Sequence, residues 1–335
     1  MSSENAKKKS KGCVIITGAS AGVGRACARR FAKNGYDVGL IARGKEGLEA
    51  AVKEAVEFGV NAAYYEADVA NYEEVESAAL FFQEKLGFVI FWINNAMTSV
   101  FSPVRKMEPQ EYKRVTDVTY LGQVHGALVA LKLMNEQNKG SIVFVGSALA
   151  YRGIPLQSAY CAAKHATKGF VDSLRTELLH DKSNINISMV QLPALNTTQF
   201  GFVKTRLPKK PRPMGKIYQP EVAAEAILYA AENTPREIKV GVSTIKTIIG
   251  NKIAPWYADR VLAKSGIEGQ QTNEPEDSNR PNNLWKPIPG DHGAHGAFND
   301  QALVSSTVLR LRMHGKLIIW IAISIIIVVF VLIFL

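Results

Sequence analysis

Cys13-Val14-Ile15-Ile16-Thr17-Gly18-Ala19-Ser20-Ala21-Gly22-Val23-Gly24 is the stretch that decides the fold of this chain. Cys13 to Thr17 is an apolar run of strand length, and a helical pattern continues from the glycines through Lys33. Glycines at positions 18, 22 and 24 let the backbone turn sharply and come close to an anionic ligand. The N-terminus of the following helix favours negative charge, so the turn suits a pyrophosphate.

Similar apolar runs recur at about 37 to 42, 61 to 66, 89 to 93, 141 to 146, 185 to 191 and 237 to 242, with helical patterns between them. Unbroken apolar strands are what a parallel sheet covered on both faces requires. The alternation predicts an α/β fold: a Rossmann-like doubly wound parallel sheet of about seven strands, with helices on both faces, over residues 11–264. The 335-residue chain is long enough to bury a large core. Cys13, Cys27 and Cys161 show neither metal spacing nor an even disulfide framework, and they read as reduced packing residues. No metal site is expected.

Acid–base chemistry is expected around Tyr160. The segment Ser158 to His180 reads as a helix, on which Tyr160 and Lys164 are one turn apart and share a face. A phenol is a poor acid or base near neutral pH, and a nearby ammonium favours its ionised form. Ser147 ends the apolar run Ser141 to Val145, where its hydroxyl can hold the same substrate oxygen. Another run, Phe88 to Ile93, ends in Asn94-Asn95-Ala96, two amides suited to a strand end beside a cofactor.

With these motifs in this order, the chain resembles the short-chain dehydrogenase/reductase family over roughly residues 11 to 245. The resemblance implies Ser147, Tyr160 and Lys164 as the catalytic residues. It assigns the cofactor to Thr17, Gly18, Ser20, Gly22, Val23 and Gly24 of the turn, to Asn95 and Ala96, to Asp68 beside adenine, to Pro193, and again to Tyr160 and Lys164. It also implies association into dimers or tetramers, a homo-oligomer built through two long helices. The sequence departs from the family pattern at Met97, where Gly is usual after Asn-Asn-Ala, and at Ala194, where Gly usually follows Pro193. Thr119 occupies the place of the family's fourth catalytic residue, an Asn that positions a relay water. At the end of the second strand an acid commonly meets the ribose of NAD, but here Ala42-Arg43 follows, and Arg43 suits the 2′-phosphate of NADP. The expected function is an NADP(H)-dependent oxidoreductase interconverting a carbonyl and an alcohol. A catalytically weak NADP-binding scaffold is the alternative.

The remainder of the chain points to a membrane. Residues 317–335 carry no charge and would span about 28 Å as a helix, close to the thickness of a bilayer's hydrocarbon core. This stretch is expected to be a transmembrane tail anchor. Arg310, Arg312, His314 and Lys316 precede it, which places the catalytic domain on the cytoplasmic side. Residues 1–10 form a polar, basic tail, and residues 265–310 read as a linker by composition. Two histidines and one aspartate in Gly290 to Gly296 do not make a metal site. Of the formal net charge of +10, six cations fall in one loop: Lys204, Arg206, Lys209, Lys210, Arg212 and Lys216. No nucleic-acid-binding signature accompanies them, and an anionic membrane surface is the expected partner. The same loop carries Phe200, Phe202 and Leu207, compatible with a lipid-like substrate and equally with packing of a substrate lid.

Overall fold

The computed structural model describes residues 10–313 and 315. Seven strands pair in parallel: β1 (Cys13–Thr17), β2 (Asp37–Ala42), β3 (Ala62–Glu66), β4 (Val89–Asn94), β5 (Gly140–Ser147), β6 (Ile185–Leu192) and β7 (Glu237–Lys239). Their order across the sheet is β7-β6-β5-β4-β1-β2-β3, so the winding reverses between β1 and β4. Every residue of β1 and β2 is buried, as helices on both faces demand. β7 stops at Lys239, short of the run expected to 242, because Gly241 opens the next helix.

The helices that follow each strand divide between the two faces. On one, α1 (Gly22–Lys33), α2 (Lys45–Val56) and α7 (Pro220–Asn233) bury Phe31, Leu48 and Ile227 against the sheet. On the other, α3 (Tyr72–Leu86), α5 (Gly122–Asn135) and α6 (Ser158–His180) bury Phe82, Met134 and Val171, while α4 (Pro109–Thr116) packs beside α6. A π-helical turn over Asp117–Leu121 joins α4 to α5. Two further helices, α8 (Gly241–Ile253) and α9 (Pro255–Ser265), follow β7.

Residues 265–310, linker-like in composition, are not a free tether in the structure but a strap laid over the domain. Gln271–Pro275 pairs antiparallel with Lys209–Pro211, and Ala302–Leu303 extends a parallel ribbon formed by Ile217–Tyr218 and Ala194–Leu195. Leu284, Ala294 and Leu309 are buried, and Arg280 donates 2.8 Å bonds to the carbonyls of Phe200 and Val203. Glycine and proline remove regular structure from this segment, but scattered apolar and polar anchors fix its path.

The basic loop is likewise engaged within the fold. Arg206 grips the buried Glu111 carboxylate with two bonds of 2.8 Å, and Lys204 adds a third contact at 2.8 Å. Lys210 pairs with Glu274, and Arg212 donates to Gln301. Four of the six cations therefore have protein partners. Among the described residues no helix is long and apolar enough to cross a membrane. Residues 317–335, where the span is expected, and residues 1–9 of the basic tail lie outside the described residues.

Glu111 makes the loop's attachment testable. Burial pushes its carboxyl up, but the Arg206 and Lys204 bonds outweigh that and hold it at about 2. The stabilisation is present above the ordinary value of 4.5 and is lost as pH falls towards 2. Glu111→Gln should cost about 2 kcal/mol near neutrality, less than a fully buried pair would, because Lys204 and Arg206 remain 29% and 25% exposed. Urea midpoints near neutrality and at about pH 3 check this, since the difference from wild type should shrink in acid.

Candidate active site

A cavity of about 620 Å³ opens at the carboxyl ends of the strands, where the winding reverses. At its floor lies the turn between β1 and α1. Thr17 ends β1 with its hydroxyl donating to the Ile93 carbonyl at 3.2 Å and accepting from the Asn95 and Ala96 amides at 2.9 and 3.1 Å. The Asn95 side chain donates to the carbonyls of Thr17 and Gly18 at 2.9 and 3.3 Å. A Cβ on Gly24 would stand 2.1 Å from the Gly18 carbonyl oxygen, and one on Gly18 would stand 2.8 Å from the Cα of Ala96. Side chains at either glycine would push the turn off the sheet.

Of the residues expected to hold a cofactor, Gly18, Ser20, Gly22, Val23, Arg43, Asp68, Asn95, Ala96, Tyr160, Lys164 and Pro193 line this cavity. Thr17 and Gly24 do not; they shape the turn from behind. Arg43 and Asp68 follow β2 and β3, whereas Ser147 ends β5 on the other side of β1 and β4 in the sheet, where Tyr160 and Lys164 also line the cavity. A glycine-backed turn, an arginine–aspartate end and a hydroxyl–phenol–amine end along one cleft fit a dinucleotide with its reactive ring beside Tyr160.

Ser147 reaches the cavity because it ends β5, and its hydroxyl accepts from the Leu149 amide at 3.1 Å. Tyr160 lies in the first turn of α6 and lines the cavity with Ser147. Burial pushes the Tyr160 phenol above its ordinary value, and the Ser147 hydroxyl offsets part of that rise. One turn on, Lys164 is 1% exposed, donates to the Val145 carbonyl at 2.6 Å and stands 5.6 Å from the centre of the Tyr160 ring. Burial pulls its ammonium down to about 7. Thr119 adds no polar atom to the cavity: its hydroxyl donates to the Thr98 carbonyl at 2.8 Å and accepts the Thr98 amide at 3.0 Å.

The strap contributes walls that no sequence motif announced. Asn283, Pro287, Ile288, Gly290 and His292 line the cavity. Arg43 donates to the carbonyls of Asn283 and Trp285 at 2.6 and 3.0 Å, with its guanidinium 4.0 Å from Asp68. Arg114 bridges Asp68 and the Leu284 carbonyl. The Gly22 amide, the first of α1, donates to the Gly293 carbonyl at 3.0 Å, and the buried Arg25 pairs with Asp291. His292 packs on Phe202 while His295 reaches Glu221, so the two histidines of this glycine-rich stretch point to different places.

The short chain dehydrogenase family model matches residues 12–206 of this chain. The chain is 30% identical over 288 residues to the uncharacterized oxidoreductase YxnA of Bacillus subtilis (strain 168), covering 85% of this chain and 81% of that protein. It is 30% identical over 223 residues to 3-dehydrosphinganine reductase of Danio rerio, covering 64% of this chain and 67% of that one. Among solved structures, an alcohol dehydrogenase from the archaeon Thermococcus sibiricus complexed with 5-hydroxy-NADP superposes with a TM-score of 0.58 and 27% identity, covering 68% of this chain and 95% of that chain.

The depressed Lys164 ammonium predicts a stability profile. Between about 7 and its ordinary 10.5, the unfolded chain holds a proton that the folded site has released. Lys164 therefore makes stability rise with pH across that window, by at most about 1.4 kcal/mol per pH unit. Urea unfolding of the ligand-free protein at several pH values checks this, and Lys164→Met should flatten the rise. An unchanged slope in the variant would place the titrating group elsewhere.

Proposed function

The chain belongs to the short chain dehydrogenase family, and from that membership we propose that it is an NADP(H)-dependent oxidoreductase interconverting a carbonyl and an alcohol, with Tyr160 as general acid and base. One observation carries the reading: Ser147, Tyr160 and Lys164 meet on a wall of the same cavity whose floor is the glycine turn. The nicotinamide, when bound, supplies or accepts the hydride at the reacting carbon.

The chain's own groups manage the oxygen and its proton. In the reducing direction Tyr160 gives its phenolic proton to the carbonyl oxygen, and its raised pKa keeps that proton in place until it is needed. Ser147, which lines the same cavity, holds the same oxygen. Lys164, in its charged form beside the ring, stabilises the phenolate left behind. In the oxidising direction each transfer reverses. The backbone from Gly18 to Val23 would hold the pyrophosphate, Asp68 and Arg43 the adenosine end, and Asn95, Ala96 and Pro193 the middle of the cofactor.

The apolar lining of the cavity supports a hydrophobic carbonyl compound, since Leu149, Ile154, Phe200, Met214 and Leu262 are part of it. The uncharged run 317–335 and the cations before it support a single-pass C-terminal anchor with the catalytic domain on the cytoplasmic face.

A panel of aldehydes and ketones of graded chain length, followed by NADPH oxidation in detergent, tests the reaction. Tyr160→Phe should lower turnover on the best substrate by about 10² to 10⁴-fold, with NADPH affinity near wild type; a variant that keeps most of its activity would remove Tyr160 from the role. Arg43→Asp addresses the coenzyme. Because Arg43 also ties down the strap, both nucleotides should bind more weakly, but the loss should be larger for NADPH, which carries the extra phosphate. Dissociation constants for NADPH and NADH decide it, and equal losses would leave Arg43 with the strap alone.

A further inference from the structure

α9 buries none of its residues, although Trp256, Tyr257 and Val261 lie on it. A helix that carries large apolar side chains ordinarily sinks a stripe of them into a core, and this one does not. α8 continues the exposed surface with Ile249 and Ile253, 50% and 75% exposed, while Trp256 and Tyr257 are 60% and 59% exposed. The apolar surface is therefore continuous through the turn between the two helices. Its inner side belongs to the cavity: Thr247 and Gly250 of α8, and Ala258, Val261 and Leu262 of α9, line it. Val261 does both, lining the cavity while 43% exposed to the outside.

We propose that the α8–α9 pair docks on an anionic bilayer surface and forms the portal through which an apolar carbonyl substrate passes from the lipid into the cavity; the passage of substrate rests on the carbonyl–alcohol reading above, and the docking does not. Charge selects the occupant. Across residues 241–265 Lys252, Arg260 and Lys264, with Lys246 at the cavity lining, stand against a single acid, Asp259, which Arg152 already neutralises. Cations beside the adjacent Trp256 and Tyr257 are the composition of a helix lying in the headgroup region, where aromatic rings sit at the boundary and lysines reach the phosphates. The interface core between two protein copies is instead depleted of charge. The Arg260 guanidinium lies 5.1 Å from the centre of the Trp256 ring, so a charge and its apolar neighbour can enter that region together. Position agrees with charge. The Gly241 amide that opens α8 donates to Ser306 at 3.2 Å, and the chain turns helical at 307–313, directly before the uncharged run of sequence.

The experiment uses the full chain in vesicles of phosphatidylcholine with about one part in five phosphatidylserine. The three native cysteines are buried, so a solvatochromic thiol dye labels Trp256→Cys selectively. Leu179→Cys, 73% exposed near the C-terminal end of α6 and close to the amino end of β6, at the opposite end of the strands from the cavity, is the control. Spin-labelled lipids should quench the dye at 256 and not at 179. Ile253→Asp combined with Tyr257→Asp, neither of which lines the cavity, should raise KM about tenfold for a bilayer-dissolved ketone while sparing a water-soluble aldehyde. A dye at 256 as wet and unquenched as that at 179, on protein that still floats with the vesicles, overturns the docking and leaves the anchor standing. A dye shielded from water but unquenched by lipid overturns it in favour of a second copy of the chain. Equal KM for the ketone in wild type and variant overturns the portal. A wild type inert on every carbonyl sinks the reaction reading, and the quenching contrast then still decides the docking.

Discussion

The Gly18 carbonyl oxygen occupies the space a Cβ on Gly24 would need, at 2.1 Å, and this contact sets the geometry on which the site depends. It lets the first turn of α1 fold back onto the end of β1. Thr17 and Asn95 then lock that turn to the end of β4 with hydrogen bonds. Where β1 and β4 part company in winding order, the sheet opens a crevice, and the clamp fixes its floor. Residues that read as cofactor ligands are thus of two kinds: Gly18, Ser20, Gly22 and Val23 face the cavity, while Thr17 and Gly24 hold the floor in shape.

The Tyr160–Lys164 wall carries a cost built into its burial. A phenol and an ammonium are both taken from water, and in each the charged form is disfavoured: the phenol rises and the ammonium falls to about 7. Such a site holds a neutral Tyr160 firmly, which suits a proton donor. It also holds Lys164 near the balance point between its charged and neutral forms, where local charge has the greatest leverage on it. The Val145 carbonyl fixes the amine's position without supplying a counter-charge.

The strap gives this cleft a wall drawn from a segment far from the glycine turn in the chain. Arg43, Arg114 and Arg25 each reach to it, two through backbone carbonyls and one through Asp291. A guanidinium presents several donors in a fixed fork, so Arg114 can hold Asp68 and a strap carbonyl together. The Arg43–Asp68 part of the cleft is accordingly built from three distant parts of the chain, and its charge balance depends on all of them. The basic loop is fixed by the same logic, through a buried carboxylate on α4 that binds two of its cations.

The sequence by itself determined the seven-strand sheet, the glycine turn and the Ser147, Tyr160 and Lys164 set, because each is local. An apolar run reports a strand, a glycine reports a turn, and a spacing of four on a helix reports a shared face. Even the helix Ser158–His180 ends where its pattern predicts. Tertiary structure alone decided three things. Residues 265–310 became a strap, because a Gly- and Pro-rich composition describes the lack of regular structure and not the few side chains that anchor the path. The basic loop became an inward-facing clamp, because Glu111 lies 93 or more residues earlier in the chain than the cations it binds. Arg43 acquired carbonyl partners about 240 residues away, and Thr119 spent its hydroxyl on Thr98. Long-range pairing of polar groups follows from which chain segments meet in space, and a periodic pattern carries no record of that.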